Sequence, residues 1–107
     1  MNIVNHFING KEYVSKSDRF GDIYNPVNGE KIREVNFANK EDVSVAISCA
    51  VKAGKEWAAT PSLTRSRVLF KFKDLILRDM DKLALELTTE HGKILSDSVG
   101  SITRGME

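Results

Sequence analysis

Four residues in this chain could do chemistry: Cys49, His6, His91 and Arg104. A cysteine acts as a nucleophile when a neighbouring base or cation lowers its pKa. Cys49 sits in the middle of a helical pattern with no local signature for a base, so a structural, partly buried thiol is expected. His6 and His91 are the only histidines; they cannot build a multi-histidine metal site, and no His-Glu-x-x-His occurs. His91 directly precedes Gly92, a helix-stopping residue, and is expected to meet the last helical carbonyls. Gly100 and Gly105 are spaced like the ends of a phosphate loop, but no Lys-Ser or Lys-Thr follows. The dinucleotide fingerprint and the Gly-x-Ser-x-Gly elbow are absent as well. Arg104 stands opposite an apolar stripe formed by Leu95, Val99, Ile102 and Met106, with Asp97 on its own side and Gly100 one turn earlier. Two readings follow: an exposed arginine paired with Glu107 at i+3, or a guanidinium placed for an anion.

Positioning these residues requires two kinds of element. Residues 1–38 read as strands and turns. Phe7-Ile8, Asn9-Gly10 and Lys11 to Val14 form a hairpin signature, since a type I′ turn needs positive φ at both central residues. Phe20 to Tyr24 is a second strand closed by Asn25-Pro26, and Asn28-Gly29 turns the chain into a less regular strand from Lys31 to Phe37.

Residues 39–107 change to helical period. Asn39 is an N-cap, with Asp42 three residues on as in a capping box. Val43, Ala46, Ile47, Ala50, Val51, Trp57 and Ala58 mark one face, and Thr60-Pro61 ends the helix. A second helix from near Thr64 carries Val68, Leu69, Phe72, Leu75 and Ile76, until Arg78-Asp79-Met80-Asp81 interrupts or bends it. A third holds Leu83, Ala84 and Leu87 and closes at Gly92; a fourth carries the Arg104 stripe. No stop signal follows Met106, so the reading is of the front piece of a longer protein, truncated inside a helix.

Composition narrows the partners. Sixteen Lys and Arg against fifteen Asp and Glu leave a formal charge of +1, which argues against nucleic acid. Arg65, Arg67, Lys71, Lys73 and Arg78 make the second helix locally basic, but Asp74, Asp79 and Asp81 dilute the charge and favour a solvated face. One cysteine excludes an internal disulfide and a multi-cysteine zinc site. The apolar runs are too short for a membrane span and the first residues lack a signal-peptide pattern, so a cytoplasmic location is expected.

The ordered segments Phe7-Ile8-Asn9-Gly10-Lys11, Tyr24-Asn25-Pro26-Val27-Asn28-Gly29-Glu30, Lys40-Glu41-Asp42-Val43, Thr64-Arg65-Ser66-Arg67-Val68-Leu69, Glu90-His91-Gly92-Lys93 and Arg104-Gly105-Met106-Glu107 resemble the N-terminal part of the aldehyde dehydrogenase superfamily. Leu69-Phe70-Lys71-Phe72 and the last two segments look most like its CoA-acylating methylmalonate-semialdehyde branch, from which Ile94 and Ser101 depart. In that branch the usual residues there are small polar and acidic.

The resemblance implies an α/β fragment, an N-terminal hairpin and strands followed by three to four helices, without the parallel sheet of the cofactor domain. It implies an oxidoreductase that uses NAD, in which a cysteine attacks the aldehyde and CoA releases the thioester. That cysteine lies beyond this chain and is not Cys49, so the isolated chain is expected to be inactive and to bind neither cofactor. It also implies a homo-oligomer or a missing C-terminal portion as partner, and partly uncovered apolar helix faces. Arg104 matches one of two arginines that hold the substrate carboxylate. Glu90 matches an acidic position near a structural cation site in some relatives, with Ile23 and Tyr24 supplying carbonyls. The alternatives are a structural or oligomerisation fragment of another aldehyde dehydrogenase, or a basic helical binding module.

Overall fold

The computed structural model describes residues 2–107. Nine elements follow one another: β1 (Ile3–Val4), β2 (His6–Ile8), β3 (Lys11–Tyr13), β4 (Phe20–Tyr24), β5 (Lys31–Asn36), α1 (Lys40–Ala59), α2 (Ser62–Arg78), α3 (Met80–His91) and α4 (Leu95–Met106). Strands followed by four helices are the expected architecture. The chain divides into two compact units: residues 1–24 with 31–60, and residues 25–30 with 61–107.

In the first unit, β2 and β3 pair antiparallel with His6 opposite Tyr13 and Ile8 opposite Lys11. Asn9 (φ 57°) and Gly10 (φ 75°) occupy the left-handed region, as the Asn-Gly turn requires. A second sheet has the order β1-β5-β4. β4 and β5 pair antiparallel, with an irregularity between Ile23 and Tyr24. β1 was not foreseen: Ile3 and Val4 lie parallel to Glu34 and Val35 of β5. Phe37, just past β5, lays its ring on Gly21, where a Cβ would run into the ring tip.

α1 begins with a full capping box. The Asn39 side chain accepts from the Asp42 amide at 2.9 Å, and the Asp42 carboxylate accepts from the Asn39 amide at 2.8 Å. Asp42 does more than cap: it also accepts from Ser15 Oγ at 2.5 Å and from Tyr13 Oη at 3.0 Å. It is one of the few buried residues of the chain. These hydrogen bonds, Ser15 first and the Asn39 amide second, hold its carboxyl below the ordinary value of 3.8. One carboxylate thereby ties β3, the loop after it and the start of α1 together.

α1 ends at Thr60, whose amide reaches back to Glu56 and Trp57 before Pro61. Its apolar stripe is largely open: Val43, Ile47, Val51 and Trp57 are all exposed. Gly54 lies mid-helix, and a Cβ there would meet nothing within 4 Å. Gly54→Ala is therefore expected to stabilise the chain by about 0.5–1 kcal/mol, because glycine is the costlier helix residue. Denaturant titration of the two proteins checks this; a loss of stability would show that the methyl group meets something in solution.

In the second unit, α2 starts directly after Pro61 and stops at Arg78. The foreseen interruption at Asp79 is real: α3 begins at Met80, and Arg78 clasps the Asp79 carboxylate through Nε (3.0 Å) and Nη2 (2.8 Å). α3 closes on Gly92 in the left-handed conformation (φ 80°). A Cβ on Gly92 would lie 3.1 Å from Pro26 Cγ, so this helix end rests on the 25–30 turn. The turn is closed by Asn25, which donates to the Glu30 carbonyl and accepts from Gly29, both at 2.8 Å.

Apolar cover is thin in this unit too. Ala84 is the one fully buried apolar residue among those described, whereas Leu63, Leu69, Phe70 and Phe72 of α2 are each more than half exposed. Among the described residues no helix is long and apolar enough to cross a membrane.

Candidate functional site

The candidate site is built on α4, whose placement depends on its contact with α3. At the centre of the buried side is Ser98, fully buried, with its hydroxyl 2.7 Å from Thr88 Oγ1 of α3. Ala84 lies one turn before Thr88 on the same side. Small residues at 84, 88 and 98 let the two backbones approach, and the paired hydroxyls satisfy each other. Ser98 lies beside the arc of Leu95, Val99, Ile102 and Met106, and Leu95 is exposed, so the buried side of α4 is turned from the predicted stripe toward a polar residue. Counting apolar residues alone could not find it.

Arg104 projects from the opposite side and is exposed. The expected pairing with Glu107 does not form: the ion pairs among the described residues are Lys31–Asp22, Lys31–Glu34 and Arg78–Asp79. Instead Arg104 Nη2 donates to Ser101 Oγ at 3.3 Å, and its Nη1 lies where a Cβ on Gly100 would be only 3.5 Å away. The guanidinium folds back along its own helix, and Gly100 gives room to that side chain. A second donor reaches the same hydroxyl: Lys93 Nζ lies 2.7 Å from Ser101 Oγ. Lys93 stands just before α4, half-buried, in the link from α3. Two cations therefore meet at one neutral oxygen, and their remaining N–H groups are free for an anionic ligand.

The other candidates are placed as follows. Glu90 is exposed in the last turn of α3, and no group of three or more His, Cys, Asp and Glu suited to a metal exists among the described residues. His91 follows it at the helix end, as anticipated. His6 stacks loosely on Tyr13, ring centroids 6.5 Å apart, with its Nε2 buried and unpaired. Cys49 is half-buried and borders an open hollow of about 470 Å³ with Asn9, Ser48, Lys52, Ala53 and Glu56. None of those neighbours is a base fit to activate a thiol. Gly100 and Gly105 both lie within α4, where backbone amides serve the helix and form no phosphate cradle.

Known proteins extend this geometry. Residues 13–107 match the model of the aldehyde dehydrogenase family. The mitochondrial acylating methylmalonate-semialdehyde dehydrogenase of Arabidopsis thaliana is 43% identical over 104 residues, which is 97% of this chain and 17% of that protein. Among solved structures, a Sinorhizobium meliloti protein described as a methylmalonate-semialdehyde dehydrogenase, in complex with NAD, superposes with a TM-score of 0.95 at 40% identity. The methylmalonate-semialdehyde dehydrogenase of Oceanimonas doudoroffii superposes at 0.94 and 37%. Each superposition covers 99% of this chain and 22% of the other, so the chain spans about a fifth of the length of such relatives. With the family model matching residues 13–107 and two superpositions covering 99% of the sequence, the chain belongs to the aldehyde dehydrogenase family.

Proposed function

We propose that this chain is the N-terminal portion of an NAD-dependent, CoA-acylating methylmalonate- or malonate-semialdehyde dehydrogenase. Its share of the reaction is to hold the substrate's carboxylate. The observation that carries this reading is the fit over 99% of the chain to two methylmalonate-semialdehyde dehydrogenases. Arg104 adds the chemistry. Its guanidinium is bonded to a serine and no carboxylate, so two parallel N–H groups stay open to a substrate carboxylate.

The described residues do not make a dinucleotide site, since the chain lacks a glycine cradle and a phosphate-binding helix start. In the complete subunit, residues outside this chain would bind NAD, which supplies hydride-accepting chemistry, and would provide the attacking cysteine and the CoA site. This chain's contribution is orientation: a carboxylate gripped at Arg104 fixes where the aldehyde carbon can lie. The exposed apolar side of α2 supports the accompanying proposal that the chain acts only within a larger subunit or assembly.

The test is Arg104→Lys in the complete subunit, with kcat/KM measured on a carboxylated semialdehyde and on a neutral aldehyde of similar size. Lysine keeps the charge and loses the planar fork. The expected result is a loss of about 100-fold on the carboxylated substrate and under threefold on the neutral one. Equal losses on both would overturn carboxylate recognition.

A further inference from the structure

We propose that Lys93 is a further cation of the carboxylate site, joined to Arg104 through Ser101, so that this chain contributes a pair of cations to it. The proposal rests on the reading of Arg104 given above and adds a residue that the reading did not contain. The geometry points to it in three ways.

First, the ammonium of Lys93 and the guanidinium of Arg104 both donate to Ser101 Oγ, at 2.7 and 3.3 Å. A hydroxyl oxygen has two acceptor sites, and here both are taken by cations. Ser101 thus sets the spacing of the two positive groups without neutralising either.

Second, no acidic side chain answers them. Asp97 and Glu107 lie near in sequence, yet neither forms an ion pair with Lys93 or Arg104. Two like charges at one oxygen repel, and an anion seated between them converts that repulsion into attraction.

Third, the two cations differ in exposure and donor shape. Lys93 is half-buried and anchored in the short link before α4, whereas Arg104 is exposed and lies along the helix over Gly100. A small carboxylate can take the flat fork of Arg104 with both oxygens while one of them also receives an N–H from Lys93. Ser101 remains attached to either cation as a positioning residue. The ligand class is a compact carboxylate, and a dicarboxylate of the malonate type would use the site most fully.

The experiment titrates sodium malonate at fixed ionic strength into the complete subunit carrying ¹⁵N label in residues 1–107. Sodium chloride and the neutral diamide malonamide serve as controls, and the amide spectrum reports folding in every sample. Wild type is expected to show saturable shifts confined to residues 92–104, absent with both controls. Lys93→Met should raise the apparent Kd three- to tenfold, and Lys93→Arg should restore most of the binding. Ser101→Asp should abolish it, because an internal carboxylate then occupies both cations; this variant adds an ion pair and leaves the α3–α4 contact untouched.

Loss of malonate binding in Arg104→Met with none in Lys93→Met or Lys93→Gln would overturn the role of Lys93 and leave Arg104 standing. Binding that survives Arg104→Met would overturn the reading of Arg104 instead. No saturable response in wild type, or an equal response to chloride, would overturn the cation pair altogether.

Discussion

Asp42→Ala is expected to lower the unfolding midpoint of the chain by on the order of 10 °C. The carboxylate accepts three hydrogen bonds, from Ser15, Tyr13 and the Asn39 amide, and alanine leaves all three donors in a place that water reaches poorly. It also removes one half of the capping box at the start of α1. The damage should be local: in hydrogen exchange, amides of β3 and of the first turn of α1 lose protection, while those of α3 and α4 keep theirs. Uniform loss over all the amides would show that the damage is not local.

The same carboxylate dictates a pH dependence. Its folded-state pKa is below the ordinary 3.8, so the folded chain releases this proton more readily than the unfolded one. The stabilisation is whole above about pH 5 and fades as the pH falls through 4 and below. Raising the pH from neutrality does not alter it. Asp42→Asn, which cannot ionise, should flatten the stability curve between about pH 5 and 3. A mutant curve parallel to the wild-type one in that interval would exclude Asp42 as the titrating group.

Gly92→Ala is expected to cost about 1–3 kcal/mol through two separable effects. The residue sits at φ 80°, where a Cβ is strained, and that Cβ would press on Pro26 Cγ at 3.1 Å. Asparagine tolerates the left-handed region better than alanine but carries the same Cβ. Gly92→Asn therefore isolates the contact with Pro26, and the difference between the two variants isolates the backbone strain. Denaturant midpoints of the three proteins give both numbers. If asparagine matches wild type, the Pro26 contact is soft and the turn gives way.

What the sequence made legible was local. The Asn9-Gly10 turn, the Asn39–Asp42 box, the end of α1 before Pro61, the break at Asp79 and the stop at Gly92 are each written in two to four neighbouring residues. What escaped depends on partners far away along the chain. β1 has only two residues and exists because β5 lies beside it. Asp42 was read as a cap, but its bonds to Tyr13 and Ser15 span 29 and 27 residues. Ser98 was hidden because its burial comes from Thr88, not from hydrophobicity.

The candidate site divides the same way. Arg104 was singled out by helical angle and by its segment's resemblance, and of its two readings the pairing with Glu107 is the one that does not form. Spacing allowed both i+3 and i−3 neighbours, and the side chain turns toward Ser101, on the N-terminal side, where helical side chains lean. Lys93 was part of a quoted segment, yet no periodic pattern could show that a residue outside the helix reaches into it.

The 25–30 turn belongs to the same unit as residues 61–107, although it interrupts the strands of the other unit in sequence. During synthesis Pro26 emerges long before Gly92, the residue on which its ring will rest. The β-strand unit can close around a turn whose own partner does not yet exist, since β4 and β5 pair across it. The turn is therefore a waiting socket, shaped early by Asn25 and Gly29 and filled only when the third helix arrives. The last turn of α3 thus closes on a piece of chain made well before it.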